Sequence, residues 1–113
     1  MHEMSLAESV LQIIEDTARA QQFKQVRSVV LEIGALAGVE PEAMRFCFDA
    51  VTRGTMAEGA QLDIVETAGR GWCLDCEKTV PLAEQFALCP ECGGGRVQVT
   101  GGSEMRVKEL EVE

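Results

Sequence analysis

The chain has 113 residues, 46% apolar but only 4% aromatic, enough for one small domain or for a domain carrying a module. Nineteen acidic residues against ten basic ones leave a formal charge of −9, which opposes binding to phosphate backbones and to anionic lipid. No apolar run approaches the length of a membrane span, and Met1-His2-Glu3-Met4 lacks the basic start of a secretory leader, so a cytoplasmic protein is expected.

His2 is the only histidine. A bulky second residue normally blocks removal of the initiator Met, so the expected start is a free Met1 amine followed by His2 and Glu3. The amine, the deprotonated His2 amide and the His2 imidazole close two fused rings around one ion. Three nitrogens in a plane suit Ni²⁺ or Cu²⁺, and Glu3 can add a carboxylate. A solvated terminus without a metal is the plainer reading of the same residues, and the terminus alone does not decide between the two. Ser5-Leu6-Ala7-Glu8 has the form of a capping box and predicts a helix from there to about Arg19 or Gln21. Leu6, Val10, Ile13, Ile14 and Thr17 mark its apolar face.

Gln25 to Ala35 reads as a strand rich in β-branched residues, with Val29, Leu31 and Ile33 on one face and Gly34 and Gly38 at its exit. Glu40-Pro41-Glu42 opens a second helix, with Pro at the first helical position and acids at the positive end of the dipole. Met44, Cys47, Phe48 and Val51 form its stripe and Gly54 its stop; Cys47 reads as a core thiol. Gln61 to Thr67 is a second strand, and Gly69-Arg70-Gly71 reads as a hinge.

Beyond the hinge lie Cys73-Leu74-Asp75-Cys76 and Cys89-Pro90-Glu91-Cys92, twelve residues apart. Each pair can bind one ion from a tight turn, and two such turns complete a tetrahedron of thiolates. Gly93 permits a left-handed turn after the second pair; Glu77 holds the matching place after the first and fits it less well. Disulfides would need an oxidising compartment, and a redox pair would need only one such motif. Zinc is the expected occupant, and the same sulfur geometry also suits iron. Trp72, Val80, Leu82, Phe86 and Leu88 are expected to cover the metal, and Arg96 to Thr100 to add a short strand. Met105 to Val112 is the last strand, its apolar residues changing phase midway as at a bulge.

The order predicts an α+β fold: a three-stranded mixed sheet with two helices on one face, plus an inserted zinc-ribbon module. Residues 1–69 with 101–113 form the first domain in this reading and residues 70–100 the ribbon. The first two strands should be parallel, joined through a right-handed crossover. The other sheet face needs cover, which a second copy or a partner protein would supply. An enzyme is hard to assemble: the one histidine is terminal, no phosphate-cradling loop is present, and a four-thiolate zinc has no open position to activate water. Two readings survive, a carrier of a second metal and a zinc-ribbon adaptor or nucleic-acid-associated module. The acidic balance weighs against nucleic acid.

Met1-His2-Glu3, Val30-Leu31-Glu32-Ile33-Gly34, Phe46-Cys47-Phe48-Asp49, Ala57-Glu58-Gly59-Ala60, the two cysteine pairs and Met105-Arg106-Val107 together resemble the HypA/HybF hydrogenase nickel-incorporation proteins over essentially the whole chain. The resemblance implies a metallochaperone that takes Ni²⁺ at its amino terminus. It would deliver the ion to the large subunit of [NiFe] hydrogenase with a GTPase partner, and in some organisms serve urease maturation as well. It implies Met1, His2 and Glu3 as nickel-site residues. In some members an acidic residue after the first strand joins that site, and Glu40 stands at the comparable place, longer than the Asp sometimes found there. Cys73, Cys76, Cys89 and Cys92 are the implied ligands of a structural zinc.

Overall fold

In a computed structural model of the chain, residues 3–113 are described. The chain divides into two compact units, Met1–Leu31 with Val39–Val65 and Arg106–Glu113, and Glu32–Gly38 with Glu66–Met105.

The first unit holds helices α1 (Glu3–Gln21) and α2 (Pro41–Thr52), which pack on each other, and most of strands β1 (Val26–Gly34), β2 (Gln61–Thr67) and β6 (Met105–Val112). The strands lie in the order β2-β1-β6. Gln25 and Glu113 exchange backbone hydrogen bonds at 3.4 and 2.8 Å, while Gly34 N–H donates to Glu104 O at 2.8 Å, so β1 and β6 are antiparallel. Ala35, just past the end of β1, donates its N–H to the O of Thr67, the last residue of β2, at 2.8 Å, so those two strands finish together and run parallel. The sheet is mixed, as expected. Val29, Leu31 and Ile33 of β1 are buried, and so are Ala7, Val10, Ile14, Met44 and Phe48 of the helices. The alternation along β1 and the helical spacing along α1 and α2 each turn one apolar face inward.

Local details depart from the pattern reading at α1. The helix starts at Glu3, two residues before the expected cap, and Ser5 lies inside its first turns, its carbonyl accepting from the Ser9 hydroxyl at 3.0 Å. The buried stripe is Ala7, Val10, Ile14 and Ala18, whereas Ile13 is 44% exposed. The two small alanines carry a weaker hydrophobic signal than Leu6, Ile13 and Thr17, but small residues are what permit close approach to a neighbouring element. The start of α2 is as expected: Glu40 is its N-cap, its carboxylate accepting from Glu42 N–H at 3.0 Å, and Pro41 opens the helix.

The second unit holds a three-stranded sheet in the order β4-β3-β5, from β3 (Gly69–Cys73), β4 (Lys78–Leu82) and β5 (Val97–Gly101), all pairs antiparallel. The expected hinge at Gly69-Arg70-Gly71 is therefore the start of the central strand. Its glycines are there for close approach. A Cβ on Gly71 would come within 2.6 Å of Leu82 Cδ1 and 2.7 Å of Val97 Cγ1, so the strand passes between two side chains. Leu36, Val80 and Leu82 pack with Cys73 and Cys89 into the unit's small core. Phe86 and Leu88, expected to join it, are 96% and 62% exposed, and Trp72 also faces outward.

Candidate metal centre

β3 runs directly into Cys73, and β4 leaves from Lys78, so the first cysteine pair sits on the connection of a hairpin. The second pair sits on the loop that leads to β5. The two turns are built alike. Glu77 N–H donates to Cys73 O and Gly93 N–H to Cys89 O, both at 2.8 Å. Both residues at the turn's end take a positive φ, 53° for Glu77 and 72° for Gly93. Only glycine takes that conformation without a steric cost, so the first turn carries strain that the second does not.

These turns bring the sulfurs of Cys73, Cys76, Cys89 and Cys92 within 4.8 Å of one another. Cys73 and Cys92 are 3.7 Å apart through their sulfurs, and Cys76 and Cys89 are 3.9 Å apart. Thiolates bonded at about 2.3 Å to a tetrahedral ion lie about 3.8 Å from one another, so the spacing fits a single metal. Backbone N–H groups support the sulfurs: Cys76 N–H donates to Cys73 Sγ, Glu91 N–H to Cys89 Sγ and Gly94 N–H to Cys92 Sγ, each at 3.4 Å. Such donors offset the charge of thiolates and hold them in orientation.

Taken by themselves the sulfurs of Cys76, Cys89 and Cys92 hold their protons unequally. Cys89 is brought down to about 7, first by the backbone N–H of Cys92 and then by that of Glu91. Cys76 is pushed up to about 12, first by its hydrogen bond with Cys92 and then by that with Cys73. A divalent cation at the centre removes the conflict, because every thiolate then faces positive charge. Cys73 and Cys89 are buried, Cys76 is half-buried and Cys92 is exposed, so the site is walled on one side and open to solvent on the other.

Two exposed ion pairs link one turn to the other, Lys78 with Glu91 at 2.8 Å and Arg96 with Asp75 at 3.6 Å. The signal was present as opposite charges placed beside the two cysteine pairs, but surface pairs of this type contribute little to stability individually. Cys47 lies half-buried on α2 and belongs to no metal-ligating group of three or more among the described residues.

Of the residues expected to hold nickel, Met1 and His2 lie outside the described residues. The other two meet. Glu3, in the first turn of α1, accepts the backbone N–H of Glu40 on its Oε2 at 3.2 Å, and Glu40 uses its Oε1 to cap α2. The two carboxylate residues thus tie the start of α1 to the start of α2.

A family model described as "Hydrogenase/urease nickel incorporation, metallochaperone, hypA" matches residues 1–112. The chain is 66% identical to a hydrogenase maturation factor HypA of Albidiferax ferrireducens and 59% identical to one of Dechloromonas aromatica, in both cases over the full length of both chains. It is also similar to the solution structure of the Ni metallochaperone HypA from Helicobacter pylori. That match has a TM-score of 0.73 at 27% identity and covers 99% of this chain and 97% of the other. No helix among the described residues is long and apolar enough to cross a membrane.

Proposed function

The chain belongs to the HypA family of hydrogenase/urease nickel-incorporation metallochaperones, and from that premise we propose how it holds and releases its cargo. It is a nickel metallochaperone of hydrogenase maturation. Nickel is carried by the Met1 amine, the His2 amide and the His2 imidazole, with Glu3 adding a carboxylate oxygen. Glu40 enters only as a further donor, through the oxygen that does not cap α2. The four thiolates of Cys73, Cys76, Cys89 and Cys92 hold a resident Zn²⁺ that supplies structure and no catalysis. The division of work follows residues 1–69 with 101–113 for nickel and 70–100 for zinc.

The observation that carries this reading is the contrast in donors. A cage of four soft thiolates with supporting N–H groups keeps its ion. A few nitrogen and oxygen donors at a chain terminus exchange theirs, which is what a carrier needs. The Glu3 to Glu40 hydrogen bond supports it further, because it anchors the residue next to the histidine. Selectivity cannot rest on affinity, since Cu²⁺ outranks Ni²⁺ on such donors; metal supply and partner proteins decide it. The recipients in this proposal are the large subunit of [NiFe] hydrogenase and a maturation GTPase, with urease maturation proteins as a further recipient. A second copy of the chain completes the partners, nucleic acid and membrane are not among them, and the setting is cytoplasmic. The chain performs no reaction of its own.

The test is calorimetric titration of Ni²⁺ into untagged protein beside His2→Ala, with zinc measured by elemental analysis. Wild type is expected to take one nickel per chain, and the variant to lose at least two orders of magnitude in affinity with its zinc unchanged. Equal affinity in the two proteins, or nickel that enters only as zinc leaves, overturns the proposal.

A further inference from the structure

Phe86 is 96% exposed, and its backbone is left-handed, with φ at 64°. That conformation is disfavoured for any residue with a Cβ and rare for an aromatic one. The turn that carries the ring is fastened: the Gln85 side-chain amide donates to Leu36 O at 2.9 Å, and Ala87 N–H donates to Glu84 O at 3.4 Å. The fold thus spends backbone strain on a pinned turn whose aromatic ring covers nothing in its own chain. Strain of this kind gathers where a chain binds something, and a rigid exposed ring is the usual anchor of a protein contact.

The ring borders a larger apolar surface. Two clefts, of about 400 and about 600 Å³, lie wholly within the second unit and share Leu82, Ala87 and Leu88 as a common wall. Phe86 and Val99 line the smaller one, which has no charged side chain; the larger has one, Glu66. Two adjoining hollows suit successive apolar side chains of a protein segment, with Phe86 and the exposed Leu88 packing against it.

Charge decides the kind of segment. The second unit has seven acidic residues (Glu32, Glu66, Asp75, Glu77, Glu84, Glu91, Glu104) and three basic ones (Arg70, Lys78, Arg96). Lys78 and Arg96 are already ion-paired, with Glu91 and Asp75. Glu66 in the larger cleft and Glu84 beside the ring are both exposed and belong to no ion pair among the described residues. An apolar surface edged by such carboxylates attracts cations and repels anionic lipid, nucleic acid and a second copy of a chain with net charge −9. We infer that Phe86 and Leu88 anchor a segment of another protein that is apolar on one face and carries Lys or Arg on its flanks. The inference concerns the second unit alone and does not depend on where nickel binds.

The test titrates a synthetic amphipathic helix of Leu and Lys, and its counterpart of Leu and Glu, into the full zinc-loaded chain at physiological ionic strength, read by amide chemical shifts. The Leu–Lys peptide is expected to move the amides of Leu82 to Leu88 and Val97 to Val99 and to leave α1 and α2 still. Phe86→Ala and Phe86→Gly should each weaken it by about tenfold or more with zinc content unchanged; the glycine variant relieves the backbone and removes the ring, so its loss is assigned to the ring. Glu66→Lys with Glu84→Lys should weaken it by about tenfold, and the Leu–Glu peptide should bind at least that much more weakly. No binding, shifts centred elsewhere, or binding indifferent to Phe86 overturns the docking surface. Equal binding of the two peptides overturns the cationic partner, and so does self-association of the free chain, measured by sedimentation, that Phe86→Ala abolishes, since a second copy would then occupy the face.

Discussion

The two units solve the problem of a small core differently. In the first, two amphipathic helices and a sheet bury aliphatic side chains and one aromatic ring: Val10, Ile14, Val29, Leu31, Met44 and Phe48 are all buried. In the second, the buried set is Leu36, Cys73, Val80, Leu82 and Cys89, so two of its five members are cysteines of the four-sulfur cluster. Three aliphatic side chains do not offset the ordering of the unit's 47 residues, for which backbone entropy alone costs about 1–2 kcal/mol each. The comparison teaches that the proposed metal would stand in for burial where apolar side chains are few, which makes the second unit's fold conditional on an ion while the first unit's is not.

The strongest way to break that contrast is to take the metal away. Chelation under reducing conditions, or Cys89→Ser, should remove on the order of 10 kcal/mol from the second unit. Amide exchange is expected to lose its protection in β3, β4 and β5 and to keep it in α1, α2 and the middle of β1. Uniform loss across the chain would mean one cooperative structure and end the distinction. The reciprocal change is smaller. Phe48→Ala opens a cavity in the first unit, where the ring is 2% exposed, and should cost about 3–5 kcal/mol there. Zinc content and the exchange of β3–β5 amides should be unaltered, as read by elemental analysis and the same exchange experiment.

The same contrast governed what could be read from the chain before its structure. Where burial sets the pattern, the pattern was legible: β2 over Gln61–Thr67 and β6 over Met105–Val112 have the expected bounds, and Val29, Leu31 and Ile33 share the buried face. The four cysteines were legible from spacing alone, because two-residue gaps dictate the turns that bring the sulfurs together. What failed depended on contacts distant in sequence. Gly69 and Gly71 looked like a hinge because glycine signals freedom locally, yet each is required by a side chain or carbonyl that only the folded sheet brings near. Ala7 and Ala18 carry little hydrophobic signal, so the face of α1 was drawn around Ile13 instead. Phe86 and Leu88 are exposed although their hydrophobicity predicts burial, because hydrophobicity alone cannot tell a core residue from an exposed apolar one.

The smallest predicted effect sharpens the comparison inside the metal centre itself. The two cysteine turns are alike in hydrogen bonding and in left-handed backbone, but one ends on Gly93 and the other on Glu77. A non-glycine residue in that conformation costs about 1–2 kcal/mol. Glycine in its place recovers this but adds freedom to the unfolded chain, which costs about 0.4–1 kcal/mol. The balance favours Glu77→Gly by roughly 0.5–1 kcal/mol, and because folding of this unit and metal binding are coupled, the gain should appear as zinc held about two- to fivefold more tightly. Gly93→Ala imposes the opposite change and should weaken zinc by a similar factor, with little steric penalty, since a Cβ there meets nothing within 4 Å. Competition against a chromophoric chelator reads both. If the two substitutions moved affinity in the same direction, backbone conformation would not be what separates the turns, and the negative charge of Glu77 beside the thiolates would take its place as the cause.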